Sequence, residues 1–134
     1  MNFHALLARI AKILNDFEIP YAVMGGYAVS EFNFVYPESN LKVDFFVAGS
    51  DQFNKQKLAR RISLDINGEK VNFVSPEDLI LSKLLWYKSS HSNRQLEDAE
   101  SVLKIQKDKL DFNYLKKWTS IQETDKILEP LLNN

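Results

Sequence analysis

No cysteine occurs in the 134 residues, which excludes disulfides, thiolate nucleophiles and cysteine metal sites and is compatible with a reducing compartment. Only two histidines are present, His4 and His91, and neither has a second ligand at helical spacing, so a zinc site is not expected. No apolar run approaches the roughly 20 residues needed to span a bilayer, and Arg9 and Lys12 interrupt the apolar positions at the N-terminus, unlike a signal peptide. Neither sign of charge dominates: a formal net charge of −1 leaves no strong nucleic-acid footprint. The expectation is a cytoplasmic protein with no membrane partner.

What is present fits a single domain, 1–134, with an α/β core over 1–88 and a helical tail over 89–134. At this length roughly two thirds of the unfolded surface can be buried, enough for a core without metal or disulfide staples. Residues 3–18 space Phe3, Leu6, Leu7, Ile10, Ile13, Leu14 and Phe17 as one face of an amphipathic helix, with Asn2 as cap and Pro20 as terminator. Tyr21-Ala22-Val23-Met24 reads as a buried strand. Residues 32–36 and 41–47 are rich in aromatic and β-branched types around the turn-forming 37–40, and read as a β-hairpin.

Ser50 or Asp51 can cap a helix running to Arg60, and Ile62–Ile66 alternates like a half-buried strand. Asn67-Gly68 then predicts a type I′ turn into Lys70–Val74, because that turn needs positive φ at both central positions. Ser75-Pro76-Glu77-Asp78 is a helix start: a capping serine, proline at the first helical position, and acids in the positive first turn. That helix is expected through about Lys88, with others at about 93–107, 112–121 and 124–132. The fold class is α/β (α+β): a small mixed sheet with flanking helices and a helical C-terminal extension.

The adjacent glycines Gly25 and Gly26 follow the strand directly. Glycines at a strand-to-helix junction let the backbone approach a ligand closely, and N–H groups of the next turn can point at phosphate oxygens; the same pair can also make nothing more than a tight turn. The stretch after them holds no Asp-x-Asp. Asp44, within Leu41-Lys42-Val43-Asp44-Phe45-Phe46, is the acid downstream of the pair that sits in a strand-like run, and Lys42 on the same strand face offers it a plain charge pair. Lys83 shares a helix face with Leu79, Ile80, Leu84 and Tyr87, where a lysine must pair or snorkel, snorkelling being the commoner outcome. Asp44 and Lys83 meet if the hairpin packs over that helix. Arg94 and Asp98, four apart, are placed to pair locally, and Trp86 and Trp118 fall near apolar helix faces, where core positions are the usual reading.

The element order and several strings resemble the nucleotidyltransferase superfamily, and within it bacterial nucleotidyltransferase-like proteins related to the minimal enzymes and to abortive-infection toxins. IPYAVMGGYAV looks like the strand and Gly-Gly turn that open the family's active site, LKVDFFV its later strand bearing a third carboxylate, VSPEDLILSKLLWY its lysine-bearing helix, and SNRQLEDAESVLKIQ with LDFNYLKKW its C-terminal helices. The resemblance implies that Gly25 and Gly26 face nucleotide phosphates, that Asp44 is a remaining catalytic, metal-binding carboxylate, that Lys83 approaches the triphosphate, and that Arg94 and Asp98 match the family's downstream Arg/Asp positions. The implied ligands are a nucleoside triphosphate and Mg2+.

The departure from the family is that Val29 runs into Ser30-Glu31-Phe32-Asn33-Phe34, a segment resembling the one just before the third-carboxylate strand. The resemblance implies an internal deletion of the Asp-x-Asp strand and the helix after it, and hence a truncated core. Magnesium usually needs one or two protein carboxylates besides phosphates and waters, and phosphoryl chemistry rests mainly on metal and positioning. Glu31, Asp51, Glu77 and Asp78 are the acids that could substitute for those lost, although Asp51 is already explained as a cap and Glu77 and Asp78 as first-turn acids. Catalysis is therefore expected to be weak or absent. Two rival readings remain open: an interaction module, with a homodimer through an exposed sheet edge or a small protein partner in a toxin–antitoxin setting, and an active transferase whose carboxylates are completed by a partner or second subunit.

Overall fold

The structure is a computed structural model and describes residues 3–24, 44–47 and 51–133. Asn2, the Gly25-Gly26 pair, the turn expected at Tyr27-Ala28-Val29, Glu31, the first hairpin strand at 32–36, its turn at 37–40 and Ser50 lie outside the described residues. The chain divides into two compact units, Met1–Ser75 and Pro76–Asn134.

In the first unit, the helical spacing of the N-terminal segment forms α1 (Phe3–Asp16). Its buried strip is narrower than the seven-residue apolar face expected. Leu7, Ala8 and Ala11 are buried and Leu14 packs beside them, whereas Leu6, Ile13 and Phe17 are exposed. The small alanines bring the helix close to the sheet, so the larger residues to one side of the strip remain outside. The helix stops before Pro20, because Glu18 takes a left-handed conformation at φ 55°. Its N–H donates to the Asn15 carbonyl at 3.0 Å and that of Ile19 to the Leu14 carbonyl at 2.9 Å, satisfying carbonyls that the helix end leaves orphaned.

Four strands follow: β1 (Tyr21–Met24), β2 (Asp44–Val47), β3 (Ile62–Ile66) and β4 (Glu69–Phe73), with α2 (Gln52–Ala59) between β2 and β3. They form one mixed sheet in the order β2-β1-β4-β3. β1 runs antiparallel to β2 and parallel to β4, and β3 and β4 are antiparallel. Within the described residues the pairing partner of β2 is β1; the other strand and the turn of the expected hairpin lie outside them. β1 is buried along its whole length, as its uninterrupted apolar run requires of a central strand.

The β3–β4 turn forms as the sequence dictates. Asn67 and Gly68 have φ 52° and 83°, the positive pair of a two-residue type I′ turn, and the Gly68 N–H donates to Asp65 Oδ1 at 2.9 Å. Asp51 caps α2, accepting from the Asn54 N–H at 2.8 Å. The core of this unit joins Leu7, Ala8 and Ala11 of α1 to Tyr21 and Val23 of β1, Ile66 of β3, and Val71 and Phe73 of β4. Tyr21 is nearly fully buried, yet its hydroxyl is satisfied. It donates to the Lys70 carbonyl and accepts from the Asn72 N–H.

The second unit is helical: α3 (Pro76–Ser90), α4 (Asn93–Ile105), a single 3₁₀ turn (Lys107–Lys109), α5 (Phe112–Gln122) and α6 (Asp125–Leu132). α3 starts at Pro76, as its capping sequence predicts, and runs two residues past the expected end. His91, left-handed at φ 56°, then turns the chain into α4, which packs along α3. α5 packs on α3, and α6 on α4 and α5. Leu79, Ile80, Leu81 and Leu84 of α3, Ala99, Val102 and Leu103 of α4, Leu115 and Trp118 of α5, and Leu128 and Leu131 of α6 are buried. Lys88 donates from Nζ to the Gln122 carbonyl at 3.0 Å, placing a cation at the negative end of α5.

Candidate functional site

The candidate site in the first unit begins with register. In the β1–β2 ladder Met24 pairs with Asp44. Met24 is the residue directly before Gly25 in the chain, so the first residue of β2 is held level with the strand end from which the glycine pair departs. The backbone placement follows from antiparallel pairing of two short strands. Gly25 and Gly26 themselves, and the side chain of Asp44, lie outside what the structure describes.

A separate candidate, in the helical unit, is Lys83. Rather than snorkelling, it stays buried, at 9% exposure, and donates from Nζ to Asp98 Oδ2 at 3.0 Å. The pair links α3 to α4. Lys83 Nζ also lies 5.2 Å from the centre of the Trp86 ring, within the range at which an ammonium is attracted to an aromatic face. Two expectations are corrected here. Asp98 is engaged by Lys83, from the neighbouring helix, and among the described residues no ion pair joins it to Arg94. Trp86 is a partly exposed residue under a cation, at 39% exposure, while Trp118 is buried as the sequence predicts.

Glu77 and Asp78 stand in the first turn of α3, as expected, but they are also buried. Glu77 Oε2 accepts from the Asp111 N–H at 3.0 Å and Asp78 Oδ1 from the Tyr114 hydroxyl at 2.5 Å. Both carboxylates thus hold the start of α5 against the start of α3. Asp51 spends its side chain on capping α2. The substitute acids named from sequence within the described residues all carry structural hydrogen bonds, and no group of three or more His, Cys, Asp or Glu arranged to hold a metal ion occurs among the described residues.

Sequence reasoning did not foresee the Lys83–Asp98 bond, the Lys83–Trp86 contact or the two hydrogen bonds from α5. One signal for the first was available. Lys83 and Asp98 lie equally far on either side of the chain reversal at Ser90-His91, and two helices joined by a tight turn bring such residues level. The Tyr114–Asp78 contact spans 36 residues and has no equivalent local signature.

Among solved structures the chain is similar to the crystal structure of an antigenic nucleotidyltransferase-like protein from Paracoccidioides brasiliensis. The identity is 19%, the TM-score 0.53, and the match covers 76% of this chain and 75% of that one. At this identity the likeness concerns the fold, an α+β arrangement of a small mixed sheet with flanking helices. No protein-family model and no curated protein matches the sequence. No helix among the described residues is long and apolar enough to cross a membrane.

Proposed function

We propose that this chain is a nucleotidyltransferase-like protein of the shortened, bacterial, abortive-infection-related kind, catalytically impaired and retaining a nucleotide- or phosphate-binding turn at Gly25-Gly26. The observation that carries the reading is the Met24–Asp44 register in a fold similar to that of a nucleotidyltransferase-like protein. It brings one acid to the strand end that leads into the glycines, and the chain around them supplies no Asp-x-Asp to join it.

One carboxylate is the smallest protein ligand set that usually holds a single magnesium ion and leaves none for a second, while backbone N–H groups after paired glycines still serve a phosphate. Lys83 supports the impaired reading as well. Its ammonium already spends one of its three donors, and part of its charge, on Asp98 at 3.0 Å, which leaves less for a triphosphate.

The test is incubation of the full chain with magnesium and labelled nucleoside triphosphates, alongside calorimetric binding of the same nucleotides. The expected outcome is weak binding, reduced by Gly26→Val, with no label transferred to RNA, protein or small acceptors. Robust transfer that disappears in Asp44→Ala overturns the impaired reading and favours an active enzyme with its carboxylates completed by a partner.

A further inference from the structure

α1, with Phe17 directly after it, whose N–H still donates to the Ile13 carbonyl at 3.1 Å, carries a second apolar stripe that the fold leaves outside. Leu6, Ile13 and Phe17 are 38%, 54% and 74% exposed, and Ile10 between them is partly exposed. Positions 6, 10, 13 and 17 recur at alternating steps of four and three, the spacing of a helix-pairing seam. The stripe lies beside the buried Leu7, Ala8 and Ala11, so packing of the helix onto its own sheet leaves the seam available.

The charges bordering the stripe indicate what covers it. Arg9 and Asp16 lie along its solvent side, seven residues apart, both exposed. Asp16 accepts from Lys12 within the same helix at 3.0 Å, and Arg9 has no ion-pair partner among the described residues. When two copies of this helix are laid antiparallel about a two-fold axis, so that Ile10 faces the partner's Ile13 and Leu6 faces the partner's Phe17, Arg9 falls opposite the partner's Asp16. The symmetry repeats that contact with the roles exchanged, as an isologous interface requires. One surface is thus complementary to itself in both shape period and charge.

We infer that α1 is a self-association surface and that its occupant is the antiparallel α1 of a second copy of this chain. A single helix seam buries less than the roughly 1,200 Å² of a stable interface, so the dimer is weak and forms at high micromolar concentration. The contact is independent of the nucleotide reading and distinct from pairing along the sheet edge.

Sedimentation equilibrium of the full chain from about 1 µM to about 500 µM reads the association, with circular dichroism and thermal melts confirming that each variant is folded. Wild type is expected to pass from monomer to dimer across that range. Ile13→Asp with Phe17→Ser is expected to remain monomeric, and Ile62→Lys, on β3 at the sheet edge, to leave the dissociation constant unchanged. Arg9→Asp and Asp16→Arg each place like charges opposite one another twice and are expected to weaken association about tenfold. The double variant Arg9→Asp/Asp16→Arg restores opposite charges and is expected to return to within about threefold of wild type. A wild-type chain that stays monomeric to the top of the range overturns the inference. So does a dimer that survives the apolar double variant, is broken by Ile62→Lys, or shows no rescue by charge exchange.

Discussion

Lys83 Nζ lies 3.0 Å from Asp98 Oδ2 across the α3–α4 hairpin, with the lysine side chain 11% and the aspartate 42% exposed. The asymmetry of burial sets which partner the structure depends on. Removing Asp98 leaves an ammonium almost enclosed, with the Trp86 ring as its remaining partner among the described residues, whereas removing Lys83 leaves a carboxylate that water can reach.

Asp98→Ala is therefore expected to destabilise by about 1–3 kcal/mol, the range for stranding a buried polar group. Lys83→Met, which keeps the stem's volume in its apolar surroundings, should cost less than about 1 kcal/mol. Urea denaturation of the two variants checks the order; equal losses would show that the pair acts symmetrically and that burial of the lysine is not the controlling term.

The hydrogen bonds at the start of α3 predict a second difference. Tyr114→Phe removes the hydroxyl that donates to Asp78, a residue with no exposed surface, and should cost about 1.5–3 kcal/mol, as bonds to charged groups do. Glu77→Gln keeps an oxygen for the Asp111 N–H and is expected to cost less than Glu77→Ala. Thermal melts resolve both comparisons.

Much of this architecture was legible because local chemistry and global packing agree. Asn67-Gly68, Asp51 and Ser75-Pro76 each demand one backbone conformation, and the turn and two helix starts appear at those positions. Periodicity identified α1 but overstated its buried face, since a run of apolar residues does not reveal that Ala8 and Ala11 face the core while Ile13 and Phe17 face outward. The order of the sheet, with parallel β1 and β4 at its centre, depends on contacts 50 residues apart in register Val23 to Phe73, which no local string encodes. Residue type singles out Gly25, Gly26 and Asp44, and of these the structure describes the backbone of Asp44 alone. The partner of Lys83 depended on how α3 folds back against α4.

Tyr21 gives the chain a pH-dependent term at the alkaline end. Burial pushes its phenol above the ordinary value, with the Glu69 charge adding to the rise, while the Asn72 N–H, Asn15 and Arg61 pull it down. Because the folded state holds the phenolic proton more tightly than the unfolded chain, Tyr21 contributes stability in full below about pH 10 and loses it as pH rises through the folded value. Tyr21→Phe sacrifices hydrogen bonds to Lys70 and from Asn72 at a cost of about 1 kcal/mol at neutral pH. The difference between wild type and this variant is expected to hold steady from pH 8 to about 10 and to shrink above it. Urea denaturation series at each pH measure that difference; one that widens with pH would give the proton linkage the opposite sign.

Glu18 closes α1 in a conformation that suits a different residue. At φ 55° its Cβ crowds the backbone, a strain of about 1–2 kcal/mol for an L residue, which glycine does not suffer. Glycine also loses more backbone freedom on folding, by about 0.5–1 kcal/mol, so the net change is a fraction of the strain. Glu18→Gly should keep both closing hydrogen bonds, from its own N–H to Asn15 and from Ile19 to Leu14, and raise stability by about 0.5–1 kcal/mol. That corresponds to a melting temperature about 1–4 °C higher for a chain of this length. Gly68→Ala provides the converse: there is open space for its Cβ, but φ is +83°, so it should lower stability by a comparable amount through conformation alone. Thermal melts of the two single variants settle the matter, and a loss at position 18 would show that the glutamate side chain contributes more at this helix end than its backbone strain costs.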